Sequence, residues 1–219
     1  MKRIATIIPL SLMVLALCFC GEKKKEEVVQ VKKTTLLPPG EFGIARHVWG
    51  NSVTAQNPLE RIKAAEEVKD TVITLKGTEK ATVETNKGNI VIELFTKDAP
   101  NTISNFIRLA ETGFFDGLTW HRYEEGFLIQ GGDPTGTGKG ALSYTIPFER
   151  NPRKHEMGSV AMARVGEDLN SASCHFYVCL SQQPHLDGSY CVFGKVIEGL
   201  DAVTQIRVGD TIRKVTISR

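Results

Sequence analysis

The chain has 219 residues, 41% of them hydrophobic and 24% charged, with 20 glycines and a formal net charge of +2. That length allows one domain of ordinary size plus appended segments, and the composition is that of a globular protein. So small a charge argues against nucleic acid or an acidic surface as the main partner.

At the start of the chain, Lys2 and Arg3 precede an apolar stretch, residues 4–19, broken only by Thr6, Pro9 and Ser11. The stretch is marginal for a membrane span and has no stop-transfer pattern after it. Instead Cys18 and Cys20 are followed by Gly21 and the charged run Glu22-Lys23-Lys24-Lys25-Glu26-Glu27. This order resembles a bacterial lipoprotein signal, in which a cysteine is acylated and becomes the mature N-terminus. Cys20 is the favoured lipidation site, because the polar run starts directly after it and Leu17 lies three residues before it. Phe19 stands where such signals usually carry a small residue, and Cys18 and an uncleaved anchor helix remain alternatives. The resemblance implies a protein anchored through an N-terminal lipid in a bacterial cell envelope, periplasmic or surface-facing.

Residues 1–20 are thus read as a signal peptide and 21–79 as a tether and N-terminal extension. The tether mixes Lys, Glu, Val and Thr without a period and closes on Pro38-Pro39-Gly40. Within the extension, Asn57-Pro58 predicts a helix start, and Leu59, Ile62, Ala65 and Val68 form a modest apolar stripe, giving a short helix near 57–70. From Lys80 onward the pattern changes to short strands. Runs 81–85 and 90–94 flank the turn sequence Asn86-Lys87-Gly88-Asn89. A helix then starts near Pro100, with Ile103, Phe106, Ile107 and Ala110 on one face, and Gly113 ends it. Further strands are predicted at 119–123, 127–130, 159–163, 175–180, 191–196 and 213–217, and Leu200, Val203 and Ile206 predict a second short helix. The predicted fold is mainly β: a closed eight-stranded antiparallel barrel, residues 80–219, capped by two helices.

Three cysteines remain, Cys174, Cys179 and Cys191, an odd number that argues against a disulfide framework. Cys174 and Cys179 fall on one predicted strand with no turn between them, so they do not pair. Buried free thiols are the default, with a Cys179–Cys191 bridge left open. The five histidines show no ligand spacing with the cysteines, so no metal is expected. The Gly-rich segment 131–140 fails as a phosphate loop, because Lys139 is followed by Gly140 and no helix pattern follows.

The most specific segment is Trp120-His121-Arg122-Tyr123-Glu124-Glu125-Gly126-Phe127-Leu128-Ile129-Gln130-Gly131-Gly132-Asp133. With Gly158-Ser159-Val160-Ala161-Met162-Ala163, Ser173-Cys174-His175-Phe176-Tyr177, His185-Leu186-Asp187-Gly188 and Val192-Phe193-Gly194-Lys195, it resembles the cyclophilins in order and spacing from about residue 80 onward. That resemblance implies a cofactor-free, monomeric peptidyl-prolyl cis/trans isomerase acting on proline-containing segments of exported or envelope proteins. It assigns catalysis to Arg122, Phe127 and Gln130. It assigns substrate binding to Leu128, Ala163, Arg164, His175, Tyr177, His185, Leu186 and Tyr190.

The null alternatives are a solvated strand arginine for Arg122 and a core position for one of Phe127 and Leu128, since adjacent strand residues point to opposite faces. His121 reads as a packing residue. The chain departs from animal cytosolic cyclophilins at Arg164, His175, Tyr177, His185 and Tyr190. His185 replaces the tryptophan associated with tight cyclosporin binding. These changes leave open a second function, a low-turnover proline-peptide-binding or chaperone module, since fold alone does not decide activity.

Overall fold

The computed structural model describes residues 57–219. The leader, both candidate lipidation cysteines and the tether lie outside the described residues.

Asn57 caps the first helix, α1 (Pro58–Glu67), its side-chain oxygen accepting the Leu59 N–H at 3.0 Å, with Pro58 in the first turn. The strands follow as β1 (Lys80–Thr85), β2 (Gly88–Leu94), β3 (Arg122–Glu124), β4 (Leu128–Gly131), β5 (Ser159–Met162), β6 (Phe176–Cys179), β7 (Val192–Glu198) and β8 (Ile212–Ser218). Helix α2 (Pro100–Glu111) separates β2 from β3, and α3 (Leu200–Gln205) separates β7 from β8. Gly113 ends α2 in the left-handed conformation, with the Phe114 N–H donating back to the Leu109 carbonyl at 2.9 Å.

The eight strands form one antiparallel sheet in the order β3-β4-β6-β5-β7-β2-β1-β8. The expected closed barrel is corrected here: the sheet is curled but open, with β3 and β8 as its edges. The expected strand at 119–123 contributes only residues 122 and 123 to a three-residue β3, too short to build a ladder against β8. The seam holds instead one bridge, Thr119–Thr211, and backbone hydrogen bonds such as Trp120 N–H to Asp210 and Ile212 N–H to Leu118.

Strand alternation divides the apolar residues into two layers. Ile90, Ile92, Ile129, Val160, Met162, Phe176, Val178 and Phe193 face the main core, where α2 packs through Ile103, Phe106 and Ile107. Phe106 is central to it, its ring centroid 5.0 Å from Phe115, 5.6 Å from Phe176 and 5.3 Å from Phe193. The intervening residues Leu128, Ala161, Tyr177, Cys179 and Val192 gather separately. The three cysteines are free and buried. Burial pushes the thiols up, to about 12 for Cys174 and Cys179 and about 11 for Cys191.

Helix α1 buries part of the stripe that its sequence suggested: Ala65 is buried and Ile62 packs on the core, whereas Leu59 is 76% exposed. Arg61 and Ala64 complete the inward face. The Arg61 guanidinium is the polar member of that face. Only 2% exposed, it donates to the carbonyls of Gly113, Phe114 and Asp116 in the loop after α2. Burial lowers its pKa to about 10, so it remains charged at neutral pH. Arg61→Met keeps the stem and removes the donors. In the full-length protein, denaturant unfolding should show a loss of about 2–4 kcal/mol, the cost of leaving buried carbonyls unpartnered.

Candidate active site

The register of β3 against β4 places Arg122 directly opposite Gln130, a spacing at which cross-strand side chains meet. Arg122 Nη1 donates to Gln130 Oε1 at 3.2 Å, while Nε and Nη2 donate to Glu124 Oε1 at 2.9 and 2.6 Å. Arg122 and Glu124 are two apart on one strand and so share a face. With side chains 43% and 49% exposed, this ion pair adds little stability; its effect is to direct the guanidinium. The Arg122 guanidinium carbon lies 5.8 Å from the centroid of the Phe127 ring.

From Gln130 the bonds continue inward. Gln130 Nε2 lies 3.4 Å from His175 Nδ1, and His175 Nε2 lies 2.6 Å from the Gly140 carbonyl oxygen. A carbonyl only accepts, so the neutral His175 ring carries its hydrogen on Nε2 and its Nδ1 accepts from Gln130. His175 therefore supports Gln130, which supports Arg122. His121 packs its ring 5.0 Å from His175, and both of its ring nitrogens are buried without a partner. Burial, then the neighbouring His175, keep the His121 pKa below the ordinary range, which fits the packing role read from the sequence.

Beside Arg122 lies the second apolar layer. Leu128, Ala161, Tyr177, Cys179 and Val192 form its floor, with Phe95, Phe127, Ala163, Leu186 and Tyr190 packed around them. Phe127 and Leu128 both belong to it, contrary to the expectation that adjacent strand residues separate. Phe127 precedes β4, in the turn 125–127, where the two-residue period does not apply. The turn is held by Leu180 N–H to the Phe127 carbonyl at 2.8 Å and by Gln183 Nε2 to the Gly126 carbonyl at 3.0 Å. His185 stacks on Phe127, with centroids 5.8 Å apart and planes 21° from parallel. Tyr190 meets Tyr177 edge-on at 6.0 Å, and Arg164 lies over Tyr190 at 4.6 Å.

A hollow of about 390 Å³ opens beside Gln130, bounded by the glycine-rich loop through Lys139 and Gly140 and by Ala163, Arg164 and His175. The loop leaves β4 at Gly132, whose positive φ of 91° and position against the Cys174 carbonyl leave no space for a side chain. The eleven residues expected in the catalytic and binding sets thus lie in or against the second apolar layer or line this hollow. The sequence reading passed over Glu124, Phe95, His155 and Asp187. Glu124 carried a usable signal, being two residues after Arg122 on the same strand. His155 and Asp187, 32 residues apart, carried none.

Residues 80–219 match the family described as cyclophilin type peptidyl-prolyl cis-trans isomerase/CLD. A Helicobacter pylori peptidyl-prolyl cis-trans isomerase is 47% identical over 148 residues, covering 66% of this chain and 90% of that protein. Peptidyl-prolyl cis-trans isomerase B of Bacillus subtilis is 44% identical over 130 residues, covering 58% and 90%. Among solved structures, a Cryptosporidium parvum cyclophilin-type isomerase, crystallised in the presence of the dipeptide Ala-Pro, aligns with a TM-score of 0.60 at 30% identity. It covers 64% of this chain and 99% of that one. The chain belongs to the cyclophilin-type peptidyl-prolyl cis-trans isomerases, and it is an enzyme of that isomerase class.

The hydrogen-bond directions can be tested. In nitrogen-resolved NMR of the neutral ring, His175 should show the Nε2–H tautomer; the opposite pattern would break the chain supporting Arg122.

Proposed function

We propose that this protein accelerates X–Pro isomerisation by holding the prolyl ring in the apolar layer around Tyr177 while Arg122 stabilises the twisted amide. One observation carries the reading: a guanidinium fixed by Gln130 and Glu124 beside Phe127, at the edge of an apolar layer built on Leu128 and Tyr177. The Ala-Pro dipeptide used with the Cryptosporidium relative supports a proline-containing ligand.

The uncatalysed barrier, roughly 18–20 kcal/mol, comes from amide resonance. As the bond twists, the prolyl nitrogen regains its lone pair and becomes a hydrogen-bond acceptor. A donor placed there favours the twisted amide over either planar form, and no covalent step is needed. Arg122 stays charged and offers several directed donors, and its guanidinium carbon lies 5.8 Å from the Phe127 ring centroid. The Ala163 N–H is engaged by the His175 carbonyl at 3.0 Å, so pairing with an extended peptide falls to the Ala163 carbonyl and the Arg164 N–H. His175 then acts on the substrate through Gln130, and Leu186, His185 and Tyr190 form the rim.

The leader-like residues 1–20 support an envelope location, with exported proteins as substrates whose slow X–Pro steps limit folding. In that reading Cys20 carries the lipid, and Cys20→Ser abolishes incorporation of radiolabelled palmitate in a bacterial host; label retained by that variant moves the site to Cys18. For the chemistry, Arg122→Ala should lower kcat/KM on a proline peptide about 100- to 1000-fold, the scale of losing one transition-state donor. Equal rates for both proteins, matching buffer, would remove the enzyme reading.

A further inference from the structure

Beneath the apolar hollow, three polar groups form a line that the chemistry at Arg122 does not use. Asp187 Oδ1 lies 2.9 Å from His155 Nδ1, and His155 Nε2 lies 3.0 Å from the Tyr177 hydroxyl. The His155 side chain is fully buried and Tyr177 is 2% exposed. The Asp187 carboxylate is itself well anchored. It also accepts the His155 backbone N–H at 2.9 Å, and Lys154 Nζ lies 3.2 Å from its other oxygen. Burial alone would raise its pKa, but the bonds from the His155 backbone and ring and from Lys154 bring it down to about 2.

Those contacts set the direction of every bond. An ionised carboxylate only accepts, so His155 Nδ1 carries the ring hydrogen and Nε2 is left as an acceptor. The Tyr177 hydroxyl must then be the donor. Its ring lies in the apolar layer of Leu128, Ala161, Cys179 and Val192, with Tyr190 edge-on against it. The hydroxyl bond to His155 therefore acts together with the stacking of His155 and the edge of Tyr190 to orient this ring.

We propose that His155 is a positioning residue of the proline pocket: held by Asp187, it takes the Tyr177 hydroxyl hydrogen and so fixes the aromatic floor on which the substrate's prolyl ring rests. This deepens the functional reading above and rests on its assignment of the hollow to the prolyl ring. The contribution belongs to ring binding, remote from the twisting amide, and therefore acts on KM rather than kcat.

Protonation reverses the bond. A charged His155 donates from Nε2, facing the hydroxyl donor of Tyr177, whose hydrogen then has only apolar neighbours to turn toward. Burial, reinforced by His185 and Lys154, keeps His155 neutral below the ordinary histidine range, while Asp187 favours the charged form. Tyr177 and Tyr190 are the other titratable groups packed against it. Burial pushes Tyr177 up, so it keeps its proton throughout. The floor is therefore locked at neutral pH and released in acid.

The test is steady-state isomerisation of an Ala-Pro-containing peptide by the full-length protein, with His155→Phe, Tyr177→Phe and the double variant. His155→Phe should raise KM about fivefold and change kcat by less than about twofold. The double variant, which exchanges both polar partners for apolar ones of similar shape, should bring KM back to within about twofold of the parent. As the pH falls below the ordinary histidine range, the parent's KM should rise at least threefold, and each single variant should show no such rise. Tyr177→Phe gives that readout even where His155→Phe does not fold. A parent that turns over normally, with KM unaltered in the variants, overturns the positioning role alone. An acid-side rise that survives in both single variants assigns it to another histidine and overturns it equally. Absence of turnover in the parent, matching Arg122→Ala, removes the functional reading and this inference with it.

Discussion

Phe176 and Tyr177 are neighbours in the chain and yet sit in different apolar layers, and the molecule depends on that separation. In a pleated strand successive side chains take opposite faces. The same division recurs at Ile129 and Leu128 on β4, at Val160 and Ala161 on β5, and at Phe193 and Val192 on β7. One face must carry enough large side chains to pack against α2. The other carries residues whose burial is shared with whatever occupies the hollow. A one-residue slip in any of these strands would exchange the two sets and destroy core and site together.

The polar residues are arranged around this division in two separate lines. One runs along the rim, from Gly140 through His175 and Gln130 to Arg122, with Glu124 on the outer side. The other runs underneath, from Asp187 through His155 to Tyr177. Each histidine has one nitrogen satisfied by a group that can only accept, which decides what the other nitrogen does. In the proposed function the rim would present a cation to the substrate amide, and the lower line would set the surface beneath the prolyl ring. Neither needs a mobile proton, in keeping with a reaction that makes and breaks no covalent bond.

Much of this could be read from residue order, for physical reasons that also explain the failures. Strand positions such as 90–94 and 175–180 show in β-branched and aromatic runs between turn residues, and α2 shows in the spacing of Ile103, Phe106, Ile107 and Ala110. Closure of the sheet did not show, because it depends on whether β3 extends far enough to pair with β8, a long-range matter on which the 119–123 run is silent. Helix α1 follows its stripe at Ile62 and Ala65 but not at Leu59, and its inward face also holds Arg61, a charged residue that the stripe gave no reason to bury and that finds three carbonyls in the loop after α2. Phe127 was misjudged because strand alternation was applied to a turn. The residues chosen for the site do gather in space, since they come in contiguous blocks, whereas His155 and Asp187 become partners only once β5 and the turn at Pro184–Leu186 are folded.

The Arg61 anchor has a mechanical consequence. Helix α1 precedes β1, and Arg61 fastens it to the loop between α2 and β3. A pull on α1 therefore meets that loop through Arg61, and the segment before β1 has a tie of its own, where Arg108 donates to the Thr71 carbonyl at 2.8 Å. Arg122 lies several residues beyond the same loop, past the seam with β8. Both ties are made to α2 and the loop after it, and neither uses a residue of β4 to β7, the strands that carry the second apolar layer.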